Sequence, residues 1–138
     1  MIIADTGFWL ALANRSDRYH AVATKALAGV AEPLITTWPV MTETCHLLAA
    51  RLGVEAQLRF LRSARDGAFS IFRVDEHHLA RMAVLVEKYR ELPMDLADAS
   101  LVLLAEELGS GKILSTDRRD FGAYRWKRRR PFINLLPE

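Results

Sequence analysis

Short apolar runs alternate with segments of helical period along the whole chain, and few folds accommodate that pattern. Met1 to Ala4 is an apolar run ending in Asp5-Thr6-Gly7, after which Phe8, Trp9, Leu12 and Ala13 recur at helical spacing. A second helical stretch covers Tyr19 to Val30, Pro33 interrupts, and Leu34-Ile35-Thr36 offers a brief buried strand. The helix after Pro39 carries Val40, Glu43, Thr44, Leu47 and Leu48 and ends at Gly53. Val54 to Ala64 reads as another helix, with Leu58 and Leu61 inward and Arg59, Arg62 and Arg65 outward.

Phe69 to Val74 is the third strand, and Asp75 is placed to cap a long helix containing Leu79, Met82, Ala83 and Val86. Pro93 breaks the chain before a helix over Asp95 to Leu108, whose Leu101, Leu104, Ala105 and Leu108 share one side and whose C-cap is Gly109. Lys112 to Ser115 is the fourth strand. Pro131 to Leu136 supplies a fifth at an edge, because its prolines cannot donate to a central ladder. Strands alternating with helices predict an α/β fold: a three-layer α/β/α sandwich with a central, mainly parallel sheet of four to five strands, joined by right-handed crossovers. Residues 1–138 fit one domain, large enough to bury a core without disulfides.

Composition excludes other classes. With 51% hydrophobic and 26% charged residues, the chain is neither disordered nor collagenous. The lone Cys45 cannot form an internal disulfide, and no Cys/His cluster has zinc spacing. The apolar start lacks a basic n-region and carries Asp5 inside the would-be signal core, and no run of about 18 uncharged apolar residues exists to span a bilayer. A protein of the reducing cytoplasm, away from membranes, is predicted. The formal charge is only +2, but Lys112, Arg118, Arg119, Arg125, Lys127, Arg128, Arg129 and Arg130 face only Asp117 and Asp120 near the C-terminus. Such a cluster either docks a polyanion or merely solvates a surface, and charge alone leaves both open.

In open α/β sheets a ligand site lies beyond the carboxyl ends of the strands, where the strand order reverses. Asp5 ends the first strand and Asp117 follows the fourth. Glu43 and Asp98 fall in the first turns of their helices, which point at the same rim. Singly, each acid is explained by a turn, a cap or a solvated helix face. Together, four carboxylates repel one another and must take up protons or bind a cation. An oxygen-only donor set favours magnesium or manganese over zinc, with water retained in the shell as a nucleophile for phosphodiester cleavage.

These residues resemble the PIN-domain nucleases, most closely the VapC toxins of toxin–antitoxin pairs. The resemblance spans nearly the whole chain. It rests on the strand ending in Asp5-Thr6, the helical Glu43, and two more specific segments, Pro93-Met94-Asp95-Leu96-Ala97-Asp98-Ala99-Ser100-Leu101 and Leu114-Ser115-Thr116-Asp117-Arg118-Arg119-Asp120-Phe121. It implies catalytic roles for Asp5, Glu43, Asp98 and Asp117, with Asp5 and Asp98 as metal ligands. Thr6 and Thr116 match positions where the family often has a hydroxyl. It also implies a Mg2+-dependent endoribonuclease, with Mn2+ as a substitute, acting on an RNA substrate, a homodimer, and a VapB-like antitoxin that occupies the active-site groove.

Asp95 reads as an N-cap and Asp120 as a loop or salt-bridge residue, with supporting roles open to both. Arg118 and Arg119 are placed to contact RNA phosphates. Asp5-Thr6-Gly7 also spells an aspartic-protease signature, but that chemistry needs an all-β chain. A receiver domain would need a phosphoacceptor after a middle strand, where only Asp75 stands. Cys45 and His46 are about 100° apart on their helix and do not form a catalytic pair; Cys45 reads as core and His46 as structural. His77 and His78 read as solvent-facing, and Phe8, Trp9 and Trp38 as buried. The competing functions are a PIN module that binds RNA or protein without cutting, and a PIN nuclease of RNA processing or acting on DNA.

Overall fold

The apolar runs become strands and the helical-period segments helices in the computed structural model, which describes residues 1–137. In chain order these are β1 (Ile2–Ala4), α1 (Thr6–Ala13), α2 (His20–Gly29), β2 (Leu34–Thr37), α3 (Trp38–Leu52), α4 (Val54–Arg65) and β3 (Ser70–Phe72). After a single 3-10 turn at Glu76–His78 come α5 (Leu79–Lys88), α6 (Leu96–Leu108), β4 (Lys112–Leu114), α7 (Arg118–Ala123), β5 (Arg125–Trp126), β6 (Arg130–Pro131) and β7 (Ile133–Asn134). No described helix is long and apolar enough to cross a membrane.

Five strands form one sheet in the order β3-β2-β1-β4-β7, every neighbouring pair parallel. Ile3 pairs with Ile35 on one side and Ile113 on the other, so β1 is hydrogen-bonded along both edges and all its residues are buried. The chain first builds outward from β1 through β2 to β3, then returns to lay β4 on the other side of β1. That reversal opens a crevice at the carboxyl ends of β1 and β4. The expected fifth edge strand is β7, pairing Ile113 with Asn134. The small antiparallel β5–β6 hairpin and α7 were outside the sequence expectation.

Helix α6 is the hub of the packing. Ala97, Ala99, Ser100, Leu101, Val102, Leu103, Leu104 and Ala105 are all buried, because sheet and helices cover α6 on several sides. Asp95 caps its start by accepting from the Asp98 N–H at 2.8 Å, and Gly109 ends it in the left-handed region at φ 68°. A second cluster stacks Trp9 on Phe69 at 4.4 Å and Phe69 on Phe60 at 5.3 Å, fastening α4 over α1.

Several expected faces are corrected. Leu61 is exposed; Ala56 is the buried residue of α4, and Phe60 packs partly buried against the core. Met82 is buried as expected on α5, but its partner is Leu85, while Leu79, Ala83 and Val86 face outward. Apolar residues occupy every side of α5, so period alone could not orient it. Trp38 is 49% exposed although burial was expected of it, whereas Phe8 and Trp9 are buried. His78 is buried rather than solvent-facing, because its Nδ1 accepts the Asp75 N–H and closes a capping box. His77 is exposed as expected, Cys45 is half-buried, and His46 is exposed.

Leu104 has no exposed surface at the centre of this packing. Leu104→Ala is expected to cost about 2–5 kcal/mol, the usual range for truncating a buried leucine. A lowered urea midpoint with an unchanged denaturant slope would register it, and a midpoint equal to wild type would refute the central role given to α6.

Candidate active site

Asp5 is the last residue before α1 and caps it, Oδ1 accepting the Thr6 N–H at 2.7 Å. Its other oxygen accepts the Ser115 hydroxyl at 2.8 Å, across the gap from β1 to the end of β4. Ser115 Oγ in turn accepts the Asp117 N–H at 3.0 Å, so one hydroxyl fixes both acids. Asn134 on β7 grips the backbone of Ser115 from the far side, donating to its carbonyl at 2.9 Å and accepting its N–H at 3.3 Å. Neither Ser115 nor Asn134 had been singled out. An acidic motif says nothing about which hydroxyl will bridge two of its members.

Asp98 approaches from the first turn of α6. Its Oδ2 accepts the hydroxyl of Tyr124 at 2.9 Å, and the Tyr124 ring is fully buried against Tyr89 and Phe121. Tyr124 was also missed, since one tyrosine 26 residues downstream carries no local signature. Glu43 sits in the second turn of α3. That helix is registered against α6 by Thr37, which caps α3 and whose Oγ1 lies 2.6 Å from Ser100 Oγ. Asp117 caps α7, accepting the Asp120 N–H at 3.1 Å. Asp120 is buried in the first turn of α7 and pairs with Arg119 at 3.1 Å, so its salt-bridge reading fits while its loop placement does not.

The electrostatics tie these acids together. Burial, with further repulsion from Glu43 and Asp117, raises the Asp5 carboxyl to about 6 despite the hydrogen bonds from Ser115 and Thr6. Asp98 is raised to about 7 by burial, then by Asp95, Asp5 and Asp117, against the Tyr124 hydrogen bond. Asp117 is raised too, mainly by burial. Asp5 thus feels Glu43 and Asp117, and Asp98 feels Asp5 and Asp117. The hydroxyl of Thr6 is buried beside Asp5 with no hydrogen-bond partner among the described residues. Thr116 closes over Gly7, where a Cβ would collide with Thr116 Oγ1.

A hard divalent cation fits these groups: the donors are all oxygens, burial and mutual repulsion make their charges costly to hold without a counter-charge, and the Thr6 hydroxyl lacks a partner among the described residues. No three of the acids bring their oxygens within 4.8 Å of one another. The described residues that do meet such a distance are Asp75, His77 and His78, which could hold a metal ion on a separate loop.

Beside the acids runs a groove of about 700 Å3, with Glu43 and Asp95 in its wall. Its apolar lining includes Trp38, Leu79, Met82 and Leu96, and its polar lining includes His46, Asp75 and Glu76. The exposure of Trp38 and Leu79 is explained by this groove. Arg118 and Arg119 lie at the edge of the site, but both guanidiniums have intramolecular partners: Arg118 donates to the Leu136 carbonyl, and Arg119 to the Leu92 carbonyl and Asp120.

Comparison with known proteins gives the family to which this fold belongs. The profile of the family described as PIN domain matches residues 2–127. The chain is 32% identical over 124 residues to Ribonuclease VapC26 of Mycobacterium tuberculosis (strain ATCC 25618 / H37Rv), covering 90% of this chain and 92% of that protein. Its fold superposes with a TM-score of 0.81 on the crystal structure of Mycobacterium tuberculosis VapC20, a sarcin-ricin loop cleaving toxin, at 22% identity and over 86% of this chain and 92% of that one. The five-stranded parallel sheet, the acids at its switch point and these matches agree: the chain belongs to the PIN-domain family.

Proposed function

We propose that the chain is a metal-dependent endoribonuclease, the toxin of a toxin–antitoxin pair, with Asp5, Glu43, Asp98 and Asp117 as its catalytic acids. The observation that carries this reading is the electrostatic convergence of those acids at the β1–β4 crevice of a PIN fold. The 32% identity to a protein named a ribonuclease supports it. Asp5 and Asp98 would hold Mg2+, or Mn2+ in its place, with Glu43 and Asp117 completing the acidic rim. When bound, the cation supplies charge stabilisation at the phosphodiester and acidifies the attacking water.

The chain's own residues prepare that site. Ser115 and the Thr6 N–H fix both oxygens of Asp5, and Tyr124 fixes one oxygen of Asp98, so neither carboxylate must be ordered when the ion arrives. The groove suits an antitoxin segment that pairs apolar side chains with a basic one, because Trp38, Leu79 and Leu96 lie beside Glu43, Asp75, Glu76 and Asp95. The reading includes a homodimer, for which exposed Val84 and Val86 on α5 provide apolar surface.

Asp98→Asn keeps the shape and removes the charge. Outer partners of metal ligands are worth about 10–100-fold, so loss of a direct ligand should reduce RNA cleavage by at least about 100-fold. Full Mg2+-dependent cleavage by a folded Asp98→Asn protein would end the proposal. Tyr124→Phe should weaken Mn2+ binding by about 10-fold or more, read by calorimetry, with activity recovering at high metal; unaltered binding would assign the hydroxyl to packing alone.

Stability should follow the acids. Asp5 and Asp98 ionise near the ordinary aspartate value of 3.8 when unfolded but near 6 and 7 when folded, so the metal-free fold binds more protons than the unfolded chain between those values. The penalty is absent below about pH 4, grows as pH rises, and is complete above about pH 7. Metal-free protein is therefore expected to melt lower at pH 8 than at pH 5, with Mg2+ raising the melting temperature at pH 8 far more than at pH 5. A Mg2+ effect equal at both pH values would contradict it.

A further inference from the structure

The C-terminal cations are not spread over a surface. Lys127, Arg128 and Arg129 form the loop of the β5–β6 hairpin, Arg130 begins its return strand, and all four are exposed. The described residues place no carboxylate within 4.0 Å of any of their charged heads. The nearby acid Glu106 takes the Arg81 guanidinium at 2.7 Å and the backbone N–H of Lys127 at 2.7 Å, and it feels the Lys127 charge without a direct ion pair, which leaves Arg128 and Arg129 as the loop's free cations among the described residues. Arg118 and Arg119, nearer the acids, already hold internal partners.

The loop's backbone is the second observation. Lys127 and Arg128 have φ of 45° and 71°, a region that favours glycine or asparagine and strains a branched or long side chain. Three-residue hairpin loops ordinarily place glycine at the left-handed position. This loop keeps two long cations there and rests on a rigid base. Trp126 is buried, its Nε1 donates to the Pro131 carbonyl at 3.1 Å, and it packs against Gly111 where a Cβ would strike the indole. Arg130 lies over the indole at 5.3 Å from its centroid, and the Arg125 N–H donates to the Tyr89 hydroxyl at 2.9 Å.

We propose that the β5–β6 hairpin is a docking element for the RNA backbone, with Arg128 and Arg129 as its phosphate-contacting residues. RNA is favoured over a protein partner because the tip offers guanidinium forks and no apolar residue to form an interface core. The hairpin is anchored to Glu106, eight residues along α6 from Asp98, which is about 12 Å or three to four base steps of about 3.4 Å. Because Trp126 packs against Gly111 at the amino end of β4, an RNA held at the acids must run at least that far to reach the hairpin, and only substrates longer than about four nucleotides do so. This inference rests on the ribonuclease reading and extends it to the substrate's flank.

The experiment compares the full chain with the Arg128→Gly/Arg129→Ala double variant. A fluorescent RNA stem-loop of about 20 nucleotides is titrated by anisotropy with EDTA present, across a salt series; cleavage of the stem-loop and of a tetranucleotide is then measured with Mg2+. Each phosphate contact contributes about 0.7–0.9 to the logarithmic salt slope, so the double variant should lose about 1.4–1.8. Its affinity at 50 mM salt should fall by at least about tenfold, tetranucleotide cleavage should be unchanged, and the Arg128→Gly single variant should melt no lower than wild type. An unchanged affinity and salt slope, in protein that still cleaves the stem-loop, overturns the hairpin assignment, leaves an acidic protein as its partner, and spares the ribonuclease reading. Wild-type protein that binds but never cleaves RNA overturns the ribonuclease reading instead, while loss of that binding in the variant still supports the hairpin.

Discussion

A carboxylate buried at the end of a central strand must be held, neutralised or protonated, and Asp5 imposes that requirement on everything around it. Because β1 is paired on both edges and the Asp5 N–H donates to the Leu114 carbonyl at 3.1 Å, the backbone that carries the carboxylate is fixed. Two donors meet it, the Thr6 N–H and the Ser115 hydroxyl, yet burial still raises its carboxyl to about 6. The hydroxyl that satisfies Asp5 also accepts the Asp117 N–H, so β4 cannot shift relative to β1 without disturbing both acids. Asn134 then makes the edge strand β7 part of the same arrangement, because its amide grips Ser115. A site at the sheet's centre is thus braced from its edge.

Asp98 is managed differently. It is only partly buried, stands among more acids, and has one side-chain donor, Tyr124. Burial first, and then the Asp98 carboxylate beside it, make the Tyr124 hydroxyl harder to ionise, which keeps it a donor. Two aspartates of one site therefore have different supports: a hydroxyl and a backbone N–H for Asp5, a buried phenol for Asp98. The phenol reaches Asp98 from the residue just after α7, so α7, which Asp117 caps, sets the position of a second acid as well.

How much of this was legible follows from the range of each interaction. The strand ends carrying Asp5 and Asp117, and the caps at Asp95 and Gly109, were readable because they depend on residues within a turn of each other. The α/β class was readable because strand and helix periods differ. Contacts spanning many residues were not: Ser115 with Asp5, Tyr124 with Asp98, and Asn134 with Ser115 join side chains whose types are common everywhere. Trp38 was misjudged because an aromatic beside a strand is usually covered, and here the groove leaves it open. His78 was misjudged because its partner is a backbone N–H, invisible in a side-chain pattern. The outward faces of α5 could not be told from its inward ones, since Leu79, Val84 and Val86 are as apolar as Met82 and Leu85.

The formal charge of +2 conceals a separation that bears on substrate approach. Asp5, Glu43, Asp95, Asp98 and Asp117 concentrate negative charge at the rim, and the groove wall adds Asp75 and Glu76. Such a rim attracts a cation but repels a phosphate backbone, so a nuclease built this way needs positive charge where the polymer runs, outside the acidic zone. Four cations on the β5–β6 hairpin, about two helical turns along α6 from Asp98, meet that need without neutralising the acids themselves. Were those cations at the rim, they would pair with the carboxylates and compete with the metal. Distance along α6 keeps the two fields apart, and the rigid Trp126 base keeps that distance constant.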